Sequence, residues 1–147
     1  MNTQDEVLIL APWRRVFDAA AKVEEWPQLL AHYRYVTVLS GRGDHRTVLM
    51  AASRDGIPCR WQAQQDLDLK RKRIHYRHTR SNFTQGMEVW WILEPQGPQA
   101  TRVLLTHAMP QEGALMGWFR QHVVGGLFVD AIAAKTLAGL KRHLEAK

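Results

Sequence analysis

Histidine is the side chain best suited to move a proton near neutral pH, because an unperturbed imidazole titrates there, and of the seven in this chain His78, His107 and His122 are the candidates. A histidine in a dry interior can also simply hold a neighbour by a hydrogen bond, so both readings stay open for each. Three histidines raise the question of zinc. None of them shows the i, i+4 spacing of a helical metal pair and no carboxylate cluster accompanies them, so no metal is expected. Tyr33 adds a phenol and Gln65 an uncharged amide, both able to bond a ligand oxygen. Cys59 is the lone cysteine, with no histidine or lysine beside it to lower its pKa, and reads as a small buried hydrophobe. No Ser-His-Asp arrangement and no phosphate-cradling glycine loop can be supported, and no cofactor is required.

Such groups need a scaffold, and the composition provides for one. The chain has 147 residues, 46% of them hydrophobic and 23% charged, enough to bury a single core without disulfide or metal staples. We therefore read residues 1–147 as one domain. Six tryptophans are a generous supply for this length and suit a core or a pocket lining. A lone cysteine and no apolar leader point to a cytoplasmic protein, and no apolar run is long enough to span a bilayer. The net charge of +6 admits an acidic partner, but the basic residues cluster only at Lys70-Arg71-Lys72-Arg73. That run lies between two strand-like segments and reads as a solvated hairpin turn, which weighs against nucleic acid. A homodimer is left open.

Along the chain, Glu6 to Leu10 reads as a strand, Trp13 to Ala21 as a helix with Trp13, Val16, Phe17 and Ala20 on one face, and Val23 to Leu30 as a second short helix. Beyond Tyr33 the period changes from helical to extended. Six strands follow: Tyr33 to Leu39, Arg46 to Ser53, Cys59 to Leu69, Arg73 to Thr79, Thr84 to Leu93 and Arg102 to Met109. Their connections carry Gly41-Arg42-Gly43-Asp44, Asp55-Gly56, the basic run, Ser81-Asn82 and Pro95 to Pro98, all turn formers. From Ala114 to Glu145 a helical stripe returns, running from Leu115 through His122, Ala133, Thr136, Leu137 and Leu140 to Leu144. Gly125-Gly126 within it predicts a bend, because tandem glycines weaken a helix interior. The order implies an α+β fold: a seven-stranded antiparallel β-sheet wrapped around a long C-terminal α-helix, with two short helices between strands 1 and 2. Strand alternation places Cys59, Trp61, Ala63, Gln65 and Leu67 on one face, inward if Trp61 is inward. Of the neighbours Trp90 and Trp91, one must then face out, and an exposed Trp90 would suggest a contact surface.

Ile9-Leu-Ala-Pro12 with Val16-Phe17, Val23-Glu-Glu-Trp26-Pro27 with Tyr33, Trp61, Gly86-Met87-Glu-Val-Trp-Trp91 and Ile132-Ala-Ala-Lys-Thr136-Leu137 occur in an order that resembles the polyketide cyclase and aromatase branch of the START-like (SRPBCC, Bet v1-like) superfamily. The resemblance implies the helix-grip fold over nearly the whole chain, and a hydrophobic small molecule as ligand. It also implies that Ile74, Tyr76 and His78, then Met87, Val89 and Trp91, then Val103, Leu105 and His107 face inward. In cyclases and aromatases of that branch a tyrosine after the second helix and an arginine on the long middle strand are proposed to orient and protonate a poly-β-ketone; Tyr33 matches the tyrosine, and Gln65 stands where the arginine falls. Glutamine carries no charge to stabilise an enolate and is no acid near pH 7, which argues against cyclase chemistry but not against binding.

The expected ligand contacts are Tyr33, Trp61, Gln65, Tyr76, His78, Met87, Trp91, Leu105, His107 and His122, with Tyr33, His78 and His107 as proton handlers. The first reading is a protein that binds a polyketide, aromatic or isoprenoid-like molecule in an internal cavity, as a cofactor-free cyclase or dehydratase if it is an enzyme at all. The first rival is a non-catalytic lipid or quinone carrier like the related coenzyme Q-binding branch. The second is a regulator docking on the ribosome or RNA, a role attributed to one bacterial relative.

Overall fold

The computed structural model describes residues 2–54, 56–81, 85–108 and 130–146. Seven strands form one antiparallel sheet: β1 (Asn2–Ile9), β2 (Tyr33–Arg42), β3 (His45–Arg54), β4 (Ile57–Asp68), β5 (Arg73–Ser81), β6 (Glu88–Pro95) and β7 (Thr101–Ala108). Their spatial order is β1-β7-β6-β5-β4-β3-β2, so β2 to β7 run as a meander and the N-terminal strand closes on the last one. Between β1 and β2 lie α1 (Trp13–Ala21), a 3-10 turn (Val23–Glu25) and α2 (Trp26–Leu29); the C-terminal helix α3 covers Asp130–Glu145. The architecture is the expected helix-grip.

Local sequence accounts for each part. Pro12 immediately precedes α1, where the missing amide hydrogen is no loss, and α1 buries Val16, Phe17, Ala20 and Ala21. Pro27 occupies the first turn of α2, and the Trp26 indole donates to Ala19 O at 2.9 Å, which ties the two helices together. Helix α3 buries Ala133, Thr136, Leu137, Leu140 and Leu144, a 3.6-residue stripe, against the concave face of the sheet. Lys141 Nζ donates to Leu8 O at 2.8 Å, and Leu10 N donates to Glu145 Oε2 at 2.9 Å, so its last turns are fastened to β1.

Several boundaries differ from the sequence reading. Strand β1 starts at Asn2, not Glu6, because Thr3 and Asp5 pair with His107 and Leu105. Leu10 is outside the strand and 61% exposed. Strand β6 begins at Glu88, since Gly86 adopts φ 86° and ends the preceding connection. Gly41 lies within β2 instead of the turn after it: at φ 83° it passes close to the partner strand, where a Cβ would clash with His45 O. The basic run is a hairpin turn as read, and Lys72 sits 4.8 Å over the Trp13 ring. The Gly125-Gly126 bend and the helix before Asp130 lie outside the described residues.

Candidate functional site

Period-2 alternation on adjacent strands brings one set of side chains onto the concave face. Gln65, Ile74, Tyr76, His78, Met87, Val89, Trp91, Val103, Leu105 and His107 are all buried there, while Trp61, Cys59 and Leu67 are half-buried. Trp90, on the opposite phase from Trp91, is 38% exposed and stacks on His75 with ring centroids 4.2 Å apart.

An aromatic wall crosses this face from the helices to β5. Trp91 lies 5.9 Å from Trp26, Trp26 lies 5.1 Å from Tyr33, and Tyr33 lies 6.2 Å from Trp61, edge to face in the last two pairs. Trp61 in turn stacks on His78 at 5.5 Å with planes only 8° apart. Tyr33 lies at the helix side of the wall, and burial raises its pKa. Thr136 gives its own proton to Ile132 O at 2.8 Å, so His32 Nε2, 3.0 Å away, donates to the threonine oxygen.

His78 and His107 share the far end of the face. Burial lowers His78 to about 3, with repulsion from His107 contributing, and lowers His107 to about 4. Both are therefore neutral at pH 7 and present uncharged ring nitrogens. His107 pairs directly with Thr3 on β1. Among the described residues, Thr3 Oγ1 and His107 Nδ1 are buried without a hydrogen-bond partner. Burial also lifts the half-buried Cys59 thiol to about 11.

Gln65 has a different surrounding. Its Nε2 donates to Ala21 O at 2.8 Å and to Tyr76 Oη at 2.9 Å, and its Oε1 accepts from Arg46 Nε at 2.8 Å. Tyr76 passes its own proton to Ala20 O at 3.0 Å. Arg46 completes the cluster, donating to Ala21 O at 2.9 Å and to Glu24 Oε2 at 2.7 Å. The Gln65 amide thus fastens the C-terminal end of α1 to the sheet, together with a guanidinium from the facing position on β3. Both amide hydrogens are spent on protein, and so is the Tyr76 hydroxyl.

The structure accordingly brings Tyr33, Trp61, His78, Met87, Trp91, Leu105 and His107 onto one face and commits Gln65 and Tyr76 to its edge. His122 lies outside the described residues. Sequence reasoning missed Thr3, because β1 was started too late; the alternation Thr3, Asp5, Val7, Ile9 in phase with the buried Ile9 was the available signal. It also missed Arg46, whose burial depends on a partner across the sheet. On the outer side of α3, a groove of 440 Å³ is lined by Leu29 to His32, Ser53, Lys135, Ala138, Gly139 and Arg142.

Comparison with known proteins agrees with this geometry. The family model described as polyketide cyclase / dehydrase and lipid transport matches residues 9–136. The chain belongs to that family. A Streptomyces halstedii protein named as a polyketide cyclase is 26% identical over 119 residues, 80% of this chain and 96% of that one. Among solved structures, the Zhui aromatase/cyclase from Streptomyces sp. R1128 has a TM-score of 0.85 at 18% identity, covering 99% of this chain and 93% of its own. A protein from Thermus thermophilus has a TM-score of 0.81 at 23% identity, covering 98% and 97%. These structural likenesses fix the helix-grip fold of the family member described here. No helix among its described residues is long and apolar enough to cross a membrane.

Proposed function

We propose that this chain encloses an uncharged, largely aromatic or polyketide-like small molecule between the concave face of its sheet and α3, and acts on it, if at all, by confining its shape. The observation that carries the reading is the continuous wall Trp91, Trp26, Tyr33, Trp61 and His78, set among aliphatic side chains. Such a lining, with few polar groups, is the chemistry of a small-molecule site. Membership of a family that includes cyclases supports the polyketide-like guest, as does the likeness to proteins named for that activity. Met87 and Leu105 contribute shape. Tyr33, His78 and His107 supply the hydrogen bonds. The cytoplasm is the compartment we assign to it.

A carrier role is favoured over acid-base catalysis by the chemistry of the lining. His78 and His107 are poor bases at neutral pH, Tyr33 is a poor acid, and an amide stands in the arginine position. A general acid or base works best with a pKa near the operating pH. Native mass spectrometry of freshly purified protein tests the binding claim: a retained apolar adduct of defined mass, displaced by an aromatic competitor such as 2-naphthol, is expected. Neither adduct nor competitor binding would overturn it. Single-turnover incubation with a short poly-β-ketone analogue then separates the two roles, the carrier returning it at the buffer rate.

A further inference from the structure

We propose that Thr3 and His107 form a two-point clamp for one hydroxyl group of the guest, which makes a phenol or enol the preferred ligand chemistry; this rests on the enclosed-guest reading above. The two residues are direct partners across the β1–β7 seam, so their Cα atoms are about 4.5–5.5 Å apart and their side chains leave the sheet on the same side. That side is the concave one, since Ile9 and Val103 on the same phases are 0% exposed. His107 itself is only 8% exposed. Among the described residues, Thr3 Oγ1 and His107 Nδ1 are each buried and without a hydrogen-bond partner. A buried polar atom left unmatched costs free energy, and two of them at directly facing positions of the β1–β7 seam mark a place where a third group belongs.

The chemistry of that group follows from what the two atoms offer. A threonine hydroxyl donates and accepts, and a neutral imidazole nitrogen accepts when the proton is on Nε2. A guest hydroxyl fits both: Thr3 donates to its oxygen, and its own proton goes to His107 Nδ1. An anionic oxygen does not fit. It carries no proton to give His107 Nδ1, which would stay unmatched.

The test compares two probes of similar shape, 2-naphthol and 2-methylnaphthalene, by isothermal titration calorimetry on wild type, Thr3→Val and Thr3→Ser. Comparing the affinity ratio between proteins cancels the different transfer free energies of the probes from water. Thr3→Val should shift that ratio about fivefold toward 2-methylnaphthalene, the worth of one neutral hydrogen bond, while Thr3→Ser keeps it within about twofold. His107→Leu should produce a shift of the same sign. Thr3→Val should also leave the unliganded protein's urea midpoint unchanged or higher, because it removes an unpartnered hydroxyl. A ratio unchanged in Thr3→Val overturns the clamp, as does an equal shift in Thr3→Ser, and either result leaves the enclosed-guest reading intact. A lowered midpoint overturns it too, by indicating that the hydroxyl already has a partner. Failure of both probes to bind wild type overturns the clamp and the enclosed guest together.

Discussion

Replacing Gln65 by leucine removes the amide that joins α1, β3, β4 and β5. Three hydrogen bonds vanish, to Ala21 O, Tyr76 Oη and Arg46 Nε, at 2.8, 2.9 and 2.8 Å. Their consequences differ. Ala21 O keeps a bond from Arg46 Nη2, and Tyr76 still donates to Ala20 O, so each of these losses costs about 1 kcal/mol. Arg46 Nε loses its partner on a side chain that is 14% exposed, and a hydrogen bond to a charged group costs about 2 kcal/mol. Gln65→Leu should therefore lose about 3–4 kcal/mol, which a urea titration reads as a fall in midpoint of roughly 2 M. Pairing it with Arg46→Met in a double-mutant cycle should give a coupling of about 1–2 kcal/mol, because the two side chains touch. Gln65→Arg should also destabilise, since a second guanidinium would face Arg46, whose ion-pair partner is the single carboxylate of Glu24. A loss below about 1 kcal/mol for Gln65→Leu, or strict additivity in the cycle, would refute the assignment of Gln65 to the framework.

Three further outcomes follow from the same geometry. His78 and His107 sit at about 3 and about 4 when folded, below the ordinary 6.5, so the unfolded chain takes up their protons first as pH falls. Their contribution to stability is complete above pH 6.5 and drains as pH drops from there toward 4 and 3, at up to about 1.4 kcal/mol per pH unit for each histidine; urea midpoints at pH 7 and 5 should show a shallower slope in His107→Leu than in wild type, and equal slopes would contradict the burial argument. His32 is lowered as well and His45 raised, and both remain in the variant, so the difference isolates His107. Cys59 at about 11 should react with iodoacetamide at pH 7.5 about a hundredfold more slowly than a free thiol, and reach the free rate only on unfolding. Gly139→Ala brings a Cβ against Leu30 Cδ2, so thermal melts should show it lowering the midpoint more in wild type than in a Leu30→Ala background, where there is room for the methyl.

Much of this protein is legible along the chain because its folding code is local. Alternation over β2 to β7, glycines and basic residues at turns, and the stripe from Ala133 to Leu144 each depend on neighbours within a few residues, and a meander keeps sequence neighbours adjacent in space. Trp61 and Gln65 could be placed on one face for the same reason, whereas setting His78 and His107 beside them took the family resemblance. Resemblance to the helix-grip superfamily then supplied the wrapping of sheet around helix. The roles of Gln65 and Thr3 belong to another class of information. Whether an amide meets a ligand or a helix end depends on groups 19 to 44 positions away, Arg46 and Ala21, which only the packing of α1 on the sheet assembles. Thr3 acquires meaning solely from the return of β7 to the N-terminal strand, more than a hundred residues later, where a hydroxyl and an imidazole are buried face to face. Periodicity states which way a side chain points; what it points at is decided by tertiary packing, because hydrogen-bond partners are chosen by distance in space and not along the chain.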